Sequence, residues 1–307
     1  MSIVVVGSVA FDDVTSPAGS VKNVLAGAAT YFALAASYFT QVRVVAVVGD
    51  DFTSEHEQVF AKRRIDTRGI ERQTGLSFRW GGTYGENLNE AISNFTHLNV
   101  FEKFDPKLPA EYADSDFLFL ANIQPKLQAN VRRQMRGVKL TGCDTMNFWI
   151  KGAREDLAET LKLVDVLLIN DTETKMLAGE SNLPRAAQKV LAMGPKALVI
   201  KHGEYGATIF FRDGAFSIGH HPFRAPALPI ESVVDPTGAG DSFAGGFMGY
   251  IASQEELNRE VIKRALFYGS VMGSFVVERF GTERLQSLTR EEIDARFQIF
   301  RELTHLR

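Results

Sequence analysis

The chain has 307 residues, 45% of them hydrophobic, which is enough to bury a large core in one or two domains. Its formal net charge of −3 argues against general attraction to nucleic acid or to an anionic membrane. The single cysteine, Cys143, excludes an intrachain disulfide and suits a reducing cytosol, and its apolar surroundings predict a buried strand. We therefore expect a cytoplasmic protein that binds neither nucleic acid nor membrane.

Short apolar runs rich in β-branched residues alternate with helical patterns along the chain. The predicted strands are 3–7, 42–48, 117–121, 164–170 and 197–201. The predicted helices are 26–39, 53–63, 126–136, 155–163, 183–193, 241–252, 259–277 and 290–303. This alternation predicts an α/β fold with a doubly wound, mostly parallel sheet and helices on both faces. No Pro, Gly or Ser-rich linker interrupts the chain, so we expect a single domain, 1–307.

Two segments, 13–23 and 69–101, break the alternation. Both contain turn residues and alternating or aromatic-rich stretches, and so look like antiparallel strands of a separate small sheet. Within the second segment, Arg79, Trp80 and Tyr84 are candidates for clamping or stacking on a ligand. Aromatic residues in a small sheet also form its packing face, so both roles stay open.

Several polar residues follow predicted strands. Asp12 and Asp13 come shortly after the first predicted strand, where Asp is common in turns, and we expect the turn role for Asp13. Since ligands of open parallel sheets bind outside the carboxyl ends of the strands, Asp12, Asn170 and Lys201 could share one edge.

The stretches after two later strands carry further polar and charged residues. Asn170 and Glu173 have the spacing of a helix capping pair, which is the role that local physics favours for them. Lys201 at a strand end is a point charge suited to a phosphate, or a solvated surface residue. Gly203 and Gly206 predict a turn beside it.

The run 233–246 is the most informative part of the chain. Gly238, Ala239 and Gly240 carry little or no side chain, so their N–H groups can converge on an anion at the start of the predicted helix. Asp241 at that helix start is a carboxylate that could take a proton from an attacking hydroxyl. The alternative is a glycine-rich turn in which Asp241 only caps the helix.

Three glycines inside the following helix argue against the interpretation of this run as only a glycine-rich turn and a helix cap. Gly245, Gly246 and Gly249 each cost about 1 kcal/mol relative to alanine in a helix interior. We therefore expect a neighbouring element or a nucleotide to approach the helix backbone closely.

The sequence Asp-Pro-Thr-Gly-Ala-Gly-Asp-Ser-Phe at 235–243 resembles the C-terminal signature of the ribokinase-like (PfkB) family of carbohydrate and nucleoside kinases. Segments similar to other family motifs follow one another in the right order at 7–12, 27–30, 48–51 and 170–173. The resemblance covers essentially the whole chain. It implies transfer of the γ-phosphoryl group of ATP to a hydroxyl of a small molecule.

The resemblance also implies roles for particular residues. Asp241 would be the general base beside an anion hole formed by Gly238, Ala239 and Gly240. The substrate would contact Asp12, Gly27 and Tyr31, and the nucleotide would contact Asn170, Glu173, Lys201, Gly203 and Gly206. Glu173 would hold Mg²⁺ through water, and Asp235 could belong to a K⁺ site. Segments 13–23 and 69–101 would form a lid that closes over the substrate and that could make a homodimer contact.

Departures from the family pattern bear on the acceptor. Ala26 replaces the first glycine of the N-terminal motif and Tyr31 stands at or near a sugar-binding Asn, which puts ribose in doubt. The stretch 144–149 lacks an Arg typical of fructokinase-like relatives, and 25–33 lacks the Lys or Arg of relatives acting on phosphorylated sugars. We expect an unphosphorylated sugar or sugar-like acceptor, with a nucleoside kinase or a non-catalytic binding relative as alternatives.

Two other nucleotide-binding classes are disfavoured. The segment 7–12 lacks the Gly-x-Gly-x-x-Gly fingerprint of a dinucleotide-binding oxidoreductase, and the Walker pattern of a P-loop NTPase is absent from the sequence.

Overall fold

The computed structural model of the chain describes residues 1–217 and 221–304. Its strands, numbered in chain order, are β1 Ser2–Val6, β2 Ala10–Ser16, β3 Gly19–Ala26, β4 Gln41–Val48, β5 Asp66–Arg72, β6 Phe78–Tyr84, β7 Ala91–His97, β8 Phe117–Leu120, β9 Leu140–Cys143, β10 Val166–Asn170, β11 Ala197–Lys201, β12 Ala207–Phe211 and β13 Phe223–Ala225. Its helices are α1 Ala28–Ala36, α2 Ser54–Lys62, α3 Pro125–Gln134, α4 Asn147–Gly152, α5 Arg154–Leu161, α6 Asp171–Ala178, α7 Leu183–Leu191, α8 Ala239–Ala252, α9 Arg259–Val276, α10 Glu283–Ser287 and α11 Arg290–Thr304. Within these two ranges no helix is both long and apolar enough to cross a bilayer.

The larger sheet has the strand order β13-β12-β11-β10-β9-β8-β1-β4-β5. Its neighbouring strands run parallel, except that β12 is antiparallel to both β11 and β13. The doubly wound, mostly parallel fold predicted from the sequence is therefore confirmed. Cys143 is fully buried at the end of β9, also as predicted.

Helices cover both faces of this sheet. The strands alternate sides, so Ile3 and Val5 of β1 pack into a core with helices α1, α2, α8, α9 and α11. Val4 and Val6 point the other way, into a second core with α3, α5 and α7. Near-continuous apolar strands are what burial on both faces requires.

The smaller sheet has the order β3-β2-β6-β7. The pairs β2/β3 and β6/β7 are antiparallel, but the central pair β2/β6 is parallel, so the expectation of purely antiparallel strands was wrong there. Between β3 and β6 the chain passes through α1, β4, α2 and β5, and this long excursion brings β6 back in the same direction as β2. The first residues of the segment 69–101 belong to β5 and pair in the larger sheet.

Helix α8 lies closely between two other helices. A Cβ atom at Gly245 would lie 2.5 Å from the carbonyl oxygen of Phe32 in α1, and Gly249 also faces α1. On another side, a Cβ atom at Gly246 would lie 2.5 Å from the carbonyl oxygen of Tyr268 in α9. Of the two explanations expected for these glycines, the structure supports close neighbouring helices.

We expect Gly245→Ala to lower the free energy of unfolding by about 1–3 kcal/mol, since overpacking outweighs the gain in helix propensity. Urea unfolding followed by circular dichroism measures the change. The matched control is Gly152→Ala in α4, where nothing lies within 4 Å of the added methyl group. A Gly245→Ala protein as stable as the wild type would contradict this account of the packing.

Candidate active site

Three neighbouring parallel strands bring polar side chains together at their carboxyl ends, which form one edge of the larger sheet. Asp144 directly follows β9, Asn170 ends β10 and Lys201 ends β11. The Lys201 Nζ lies 3.3 Å from the Asp144 carboxylate, and both side chains are largely buried. Although burial alone would lower the pKa of Lys201, the carboxylates of Asp144 and Glu173 raise it overall. Lys201 is therefore a fixed positive charge at this edge.

Helix α8 begins at the same place. Its N-cap residue Gly238 has a φ of 75°, in the left-handed region that favours glycine. A Cβ atom at Gly238 would lie 2.4 Å from the Tyr31 ring, so the ring supports this peptide directly. On the other side, a Cβ atom at Gly240 would lie 3.0 Å from the Lys201 Nζ. The helix start is thus held between an aromatic ring and a lysine.

The amides at this helix start differ in their availability. The Ala239 N–H donates to the Pro236 carbonyl at 3.2 Å, closing a turn. The N–H groups of Gly238, Gly240 and Asp241 donate no hydrogen bond to any residue of the described ranges. Of the three amides assigned to an anion hole from the sequence, the Ala239 amide is therefore engaged and the other two are open to a ligand.

Asp241 lies in the first turn of α8, and its side chain is half-buried. Burial raises the pKa of Asp241 to about 7, the negative charge of Asp144 adds to the shift, and Lys201 opposes it. Within residues 1–217 and 221–304 the carboxylate of Asp241 accepts no hydrogen bond. A carboxylate with these properties can exchange a proton near neutral pH.

Asp12 lies within β2 of the smaller sheet and is only 5% exposed. Burial raises its pKa well above the usual value, and the nearby carboxylates of Asp235 and Asp241 raise it further. The neighbouring Asp13 also lies in the strand, where it accepts a hydrogen bond from the Asn23 N–H at 2.8 Å beside a β-bulge. The turn role expected for Asp13 was wrong because the strand continues through it.

Tyr31 and Tyr84 line the space between Asp12 and α8. The Tyr31 hydroxyl is buried and has no hydrogen-bond partner in the described part of the chain. Burial raises the pKa of Tyr84 to about 12, and its hydroxyl accepts a hydrogen bond from the Thr237 hydroxyl at 3.2 Å. The smaller sheet therefore touches the loop that begins α8.

Asp235 fastens this loop. It is completely buried, and its two carboxylate oxygens accept hydrogen bonds from the N–H groups of Thr237 at 2.8 Å and Gly281 at 2.9 Å. Burial raises its pKa, and these hydrogen bonds oppose the shift. Its observed partners are neutral, so a buried negative charge is left without an ionic partner among them.

Asn170 and Glu173 form the capping box anticipated from their spacing. The Glu173 N–H donates to the Asn170 side chain at 2.7 Å, and the Asn170 N–H donates to the Glu173 carboxylate at 2.8 Å. Glu173 is 8% exposed, and burial, followed by the charge of Asp144, raises its pKa to about 7. The pair caps α6 while Glu173 remains within electrostatic reach of the Asp144 and Lys201 edge.

Two further predicted residues lie beside these. Gly27 comes directly before α1 and packs on the turn after β1, where a Cβ atom would lie 2.5 Å from the Ser8 carbonyl oxygen. Gly203 contacts the smaller sheet, since a Cβ atom there would lie 2.0 Å from the Asn89 side-chain oxygen. Asn89 belongs to the loop between β6 and β7, so this loop reaches the turn after β11.

A cavity of about 690 Å³ opens beside the helix start. This volume lies in the range of small-molecule sites. Apolar residues of 227–233 and the helices α8 and α9 form much of its wall. The predicted residues that line it are Lys201, Gly203, Gly206, Ala239 and Gly240. Asp12 and Asp241 do not line this cavity. The cavity and these two carboxylates therefore lie on different sides of the start of α8.

The lid candidates have separate environments. Arg79 donates a hydrogen bond to the Asn23 side chain and so stays within the smaller sheet. The indole of Trp80 lies over Gly82, where a Cβ atom would be 2.0 Å from the ring, and its N–H donates to Ser93 at 3.0 Å. Trp80 is therefore held flat against its own strand.

Asp144 was not predicted as a site residue from the sequence. Its position directly after a buried strand was the available signal, because it places the side chain at the edge shared with Asn170 and Lys201. The contacts of Thr237 with Tyr84 and of Asn89 with Gly203 join residues far apart in the chain and left no local signal.

The chain matches the pfkB family carbohydrate kinase profile over residues 2–288. It is 30% identical over 275 residues to a cytidine kinase of Thermococcus kodakarensis, covering 86% of this chain and 95% of that protein. The nucleoside kinase of Methanocaldococcus jannaschii, a member of the ribokinase family, superposes with a TM-score of 0.75 at 19% identity, covering 97% and 98% of the two chains. A Burkholderia thailandensis nucleoside kinase, solved in complex with ADP-inosine, superposes with a TM-score of 0.75 at 20% identity, covering 97% of this chain and 95% of that chain.

Proposed function

The chain belongs to the pfkB family of carbohydrate kinases, and we propose that it moves the γ-phosphoryl group of ATP to a hydroxyl group of a nucleoside. The cytidine kinase relative, matched over nearly its whole length, supports a nucleoside over the unphosphorylated sugar favoured by the sequence alone. The two acceptors share a sugar ring, so the roles proposed for the residues around Asp12 apply to both.

The observation that carries this proposal is the Asp241 carboxylate beside open main-chain amides, with a pKa near 7. In the reaction, Asp241 takes the proton of the acceptor hydroxyl as its oxygen bonds to the γ-phosphorus. The bond from that phosphorus to the bridging oxygen breaks, and ADP leaves. In this proposal Asp241 is therefore next to the acceptor hydroxyl whose proton it removes.

Positive groups around the helix start would stabilise the transferred group. The Gly238 and Gly240 amides and the positive end of α8 suit the phosphoryl oxygens, and Lys201 adds a full charge next to Gly240. We assign the nucleotide to the 690 Å³ cavity, because Lys201 and Gly240 form part of its wall. Mg²⁺ bound with the nucleotide would neutralise phosphate charge.

The chain's own side chains fit a water-held Mg²⁺. Glu173 and Asp144 are buried carboxylates close enough for the charge of Asp144 to raise the pKa of Glu173, and both can accept hydrogen bonds from waters around an ion. The described ranges hold no cluster of three His, Cys, Asp or Glu residues suited to direct coordination. For K⁺, the proposed residue is Asp235, whose buried carboxylate has neutral partners that leave its charge uncompensated.

The smaller sheet offers a surface for a nucleobase. Trp80 is registered opposite Asp12 in the parallel pair of β6 and β2, so the two side chains leave the sheet on the same face. The indole is fixed by Gly82 beneath it and by the hydrogen bond to Ser93. A flat, fixed ring suits stacking of a base, while Asp12 can accept hydrogen bonds from ribose hydroxyls.

Steady-state assays of ADP formation with a panel of acceptors test this function. We expect turnover with at least one of cytidine, uridine, adenosine and inosine, and much lower kcat/KM with ribose and fructose. Asp241→Asn serves as the blank for ATP hydrolysis unrelated to transfer. Turnover of a free sugar but of no nucleoside would contradict the acceptor assignment, and acceptor binding without turnover would favour a non-catalytic relative.

A further inference from the structure

A second cavity, of about 490 Å³, lies at the amino ends of the parallel strands of the larger sheet, whereas the candidate active site lies at their carboxyl ends. Asp165 and Lys196 in its wall come directly before β10 and β11, and Arg212 follows the antiparallel β12. The amino ends of β10 and β11 therefore face this cavity, which we call the basic groove. Its charged lining residues are Arg132, Arg133, Lys162, Asp165, Lys196 and Arg212.

The positive charge of the basic groove exceeds the negative charge around it. Asp165 pairs with Lys196 at 2.7 Å, and Lys162 pairs with Glu159 at 2.6 Å. The guanidinium groups of Arg132, Arg133 and Arg212 form no ion pair with a residue of the described ranges. Three guanidinium groups of the basic groove thus have no ion-pair partner among residues 1–217 and 221–304, in a protein whose net charge is −3.

The hydrogen bonds that these arginines make with described residues go to neutral groups. Arg133 donates to the Asn130 side chain at 3.3 Å, and Arg212 donates to the Gly194 carbonyl at 3.1 Å. The Nε of Arg132 is buried and lacks a hydrogen-bond partner in the described part of the chain. An unmet donor on a charged group is costly, and an anion would offset that cost.

We propose that the basic groove binds a small anion carrying a chain of phosphates, of the class of inorganic triphosphate or a nucleoside triphosphate. Arginine forks match phosphate oxygens, and three such groups along one groove suit several linked phosphates. The 490 Å³ volume suits a small molecule. Long nucleic acid is disfavoured, because the acidic remainder of the surface would repel it. This proposal does not depend on the kinase activity, since the groove shares no wall residue with the active-site cavity.

Isothermal titration calorimetry with inorganic triphosphate tests this site. Arg132→Gln combined with Arg212→Gln should weaken binding by about 100-fold or more, since the loss of each charge-assisted hydrogen bond costs about tenfold or more in affinity. Lys201→Gln, which alters the active site, should leave unchanged the binding component that the double variant loses. The charge-matched control combines Arg185→Gln and Arg301→Gln, which do not line the basic groove, and should also bind normally. A parallel titration with CTP, carried out on Lys201→Gln with and without the two arginine changes, distinguishes the sources, because CTP binding that is tighter than triphosphate binding and is lost with the arginines would identify a nucleotide.

Three outcomes would overturn the proposal. Triphosphate binding lost in Lys201→Gln but kept in the double variant would locate the anion in the active site. Equal weakening in the charge-matched control would indicate general electrostatics, and binding of single-stranded RNA without binding of triphosphate would indicate another class of ligand. If the double variant unfolds, the single change Arg133→Gln, at an exposed side chain, replaces it and should weaken binding about tenfold.

Discussion

Asp241→Asn should lower kcat by about 10²- to 10⁴-fold while ATP binding is retained, because removal of a general base leaves the positioning groups in place. Asn has nearly the same shape as Asp but cannot accept the proton of the acceptor hydroxyl. The affected side chain accepts no hydrogen bond within the described residues, so little of the fold depends on it. Initial rates and calorimetric titration with ATP measure the two quantities.

The pH dependence should identify the same group. With a pKa of about 7, Asp241 is ionised above neutrality and protonated below it, so kcat/KM should fall about tenfold per unit as pH drops below 7. That acidic limb should be absent from the residual activity of Asp241→Asn. Asp156→Asn, another first-turn aspartate, in α5, is the control and should behave as wild type. Near-normal turnover of Asp241→Asn, or an unchanged acidic limb, would contradict the assignment of the base.

Gly238→Ala should lower kcat by about 10²- to 10³-fold, the size of effect seen when one donor of an anion hole is lost. The residue has a φ of 75°, and the added methyl group would lie 2.4 Å from the Tyr31 ring. Either the ring or the main chain at Gly238 must move, and in the second case the open Gly238 amide moves with it. Kinetics at saturating ATP and acceptor measure the loss.

The control for Gly238→Ala separates backbone strain from the clash. Gly137 has a similar φ of 69° but nothing within 4 Å, so Gly137→Ala should cost stability without changing kcat. Adding Tyr31→Ala to Gly238→Ala removes the clash and should recover part of the rate lost through it. Full activity of Gly238→Ala would show that this peptide need not be held in place for transfer.

Patterns within short stretches of sequence predicted the buried strands, the start of α8 and the close packing around that helix. The continuous apolar sequences of β1, β4, β10 and β11 predicted strands buried on both faces of a sheet. The carboxyl ends of these strands indicated where a ligand would bind. The small residues at 238–240 and the acid after them indicated the helix start that the structure places beside Lys201. The helix glycines also indicated close packing, although their partners had to come from the structure.

Other features depend on pairings between distant segments and could not be predicted in the same way. The parallel pairing of β2 with β6 forms across five intervening elements, two of which, β4 and β5, are strands of the larger sheet. Asp144 acquires its importance from Lys201, 57 residues later, and the engagement of the Ala239 amide depends on the turn begun at Pro236. Such contacts become visible once the strands are assembled.

The buried acids around the helix start link proton uptake to folding. Because the pKa values of Asp241 and Glu173 rise to about 7 on folding, the native state holds their protons more tightly than the unfolded chain does. The contribution of these two groups to stability is therefore greatest in mild acid and declines as pH rises from about 4 through 7. In the proposed mechanism Asp241 can take a proton only when it is ionised, which happens as pH rises through about 7, so the expected activity rises while the stability contribution of these acids falls.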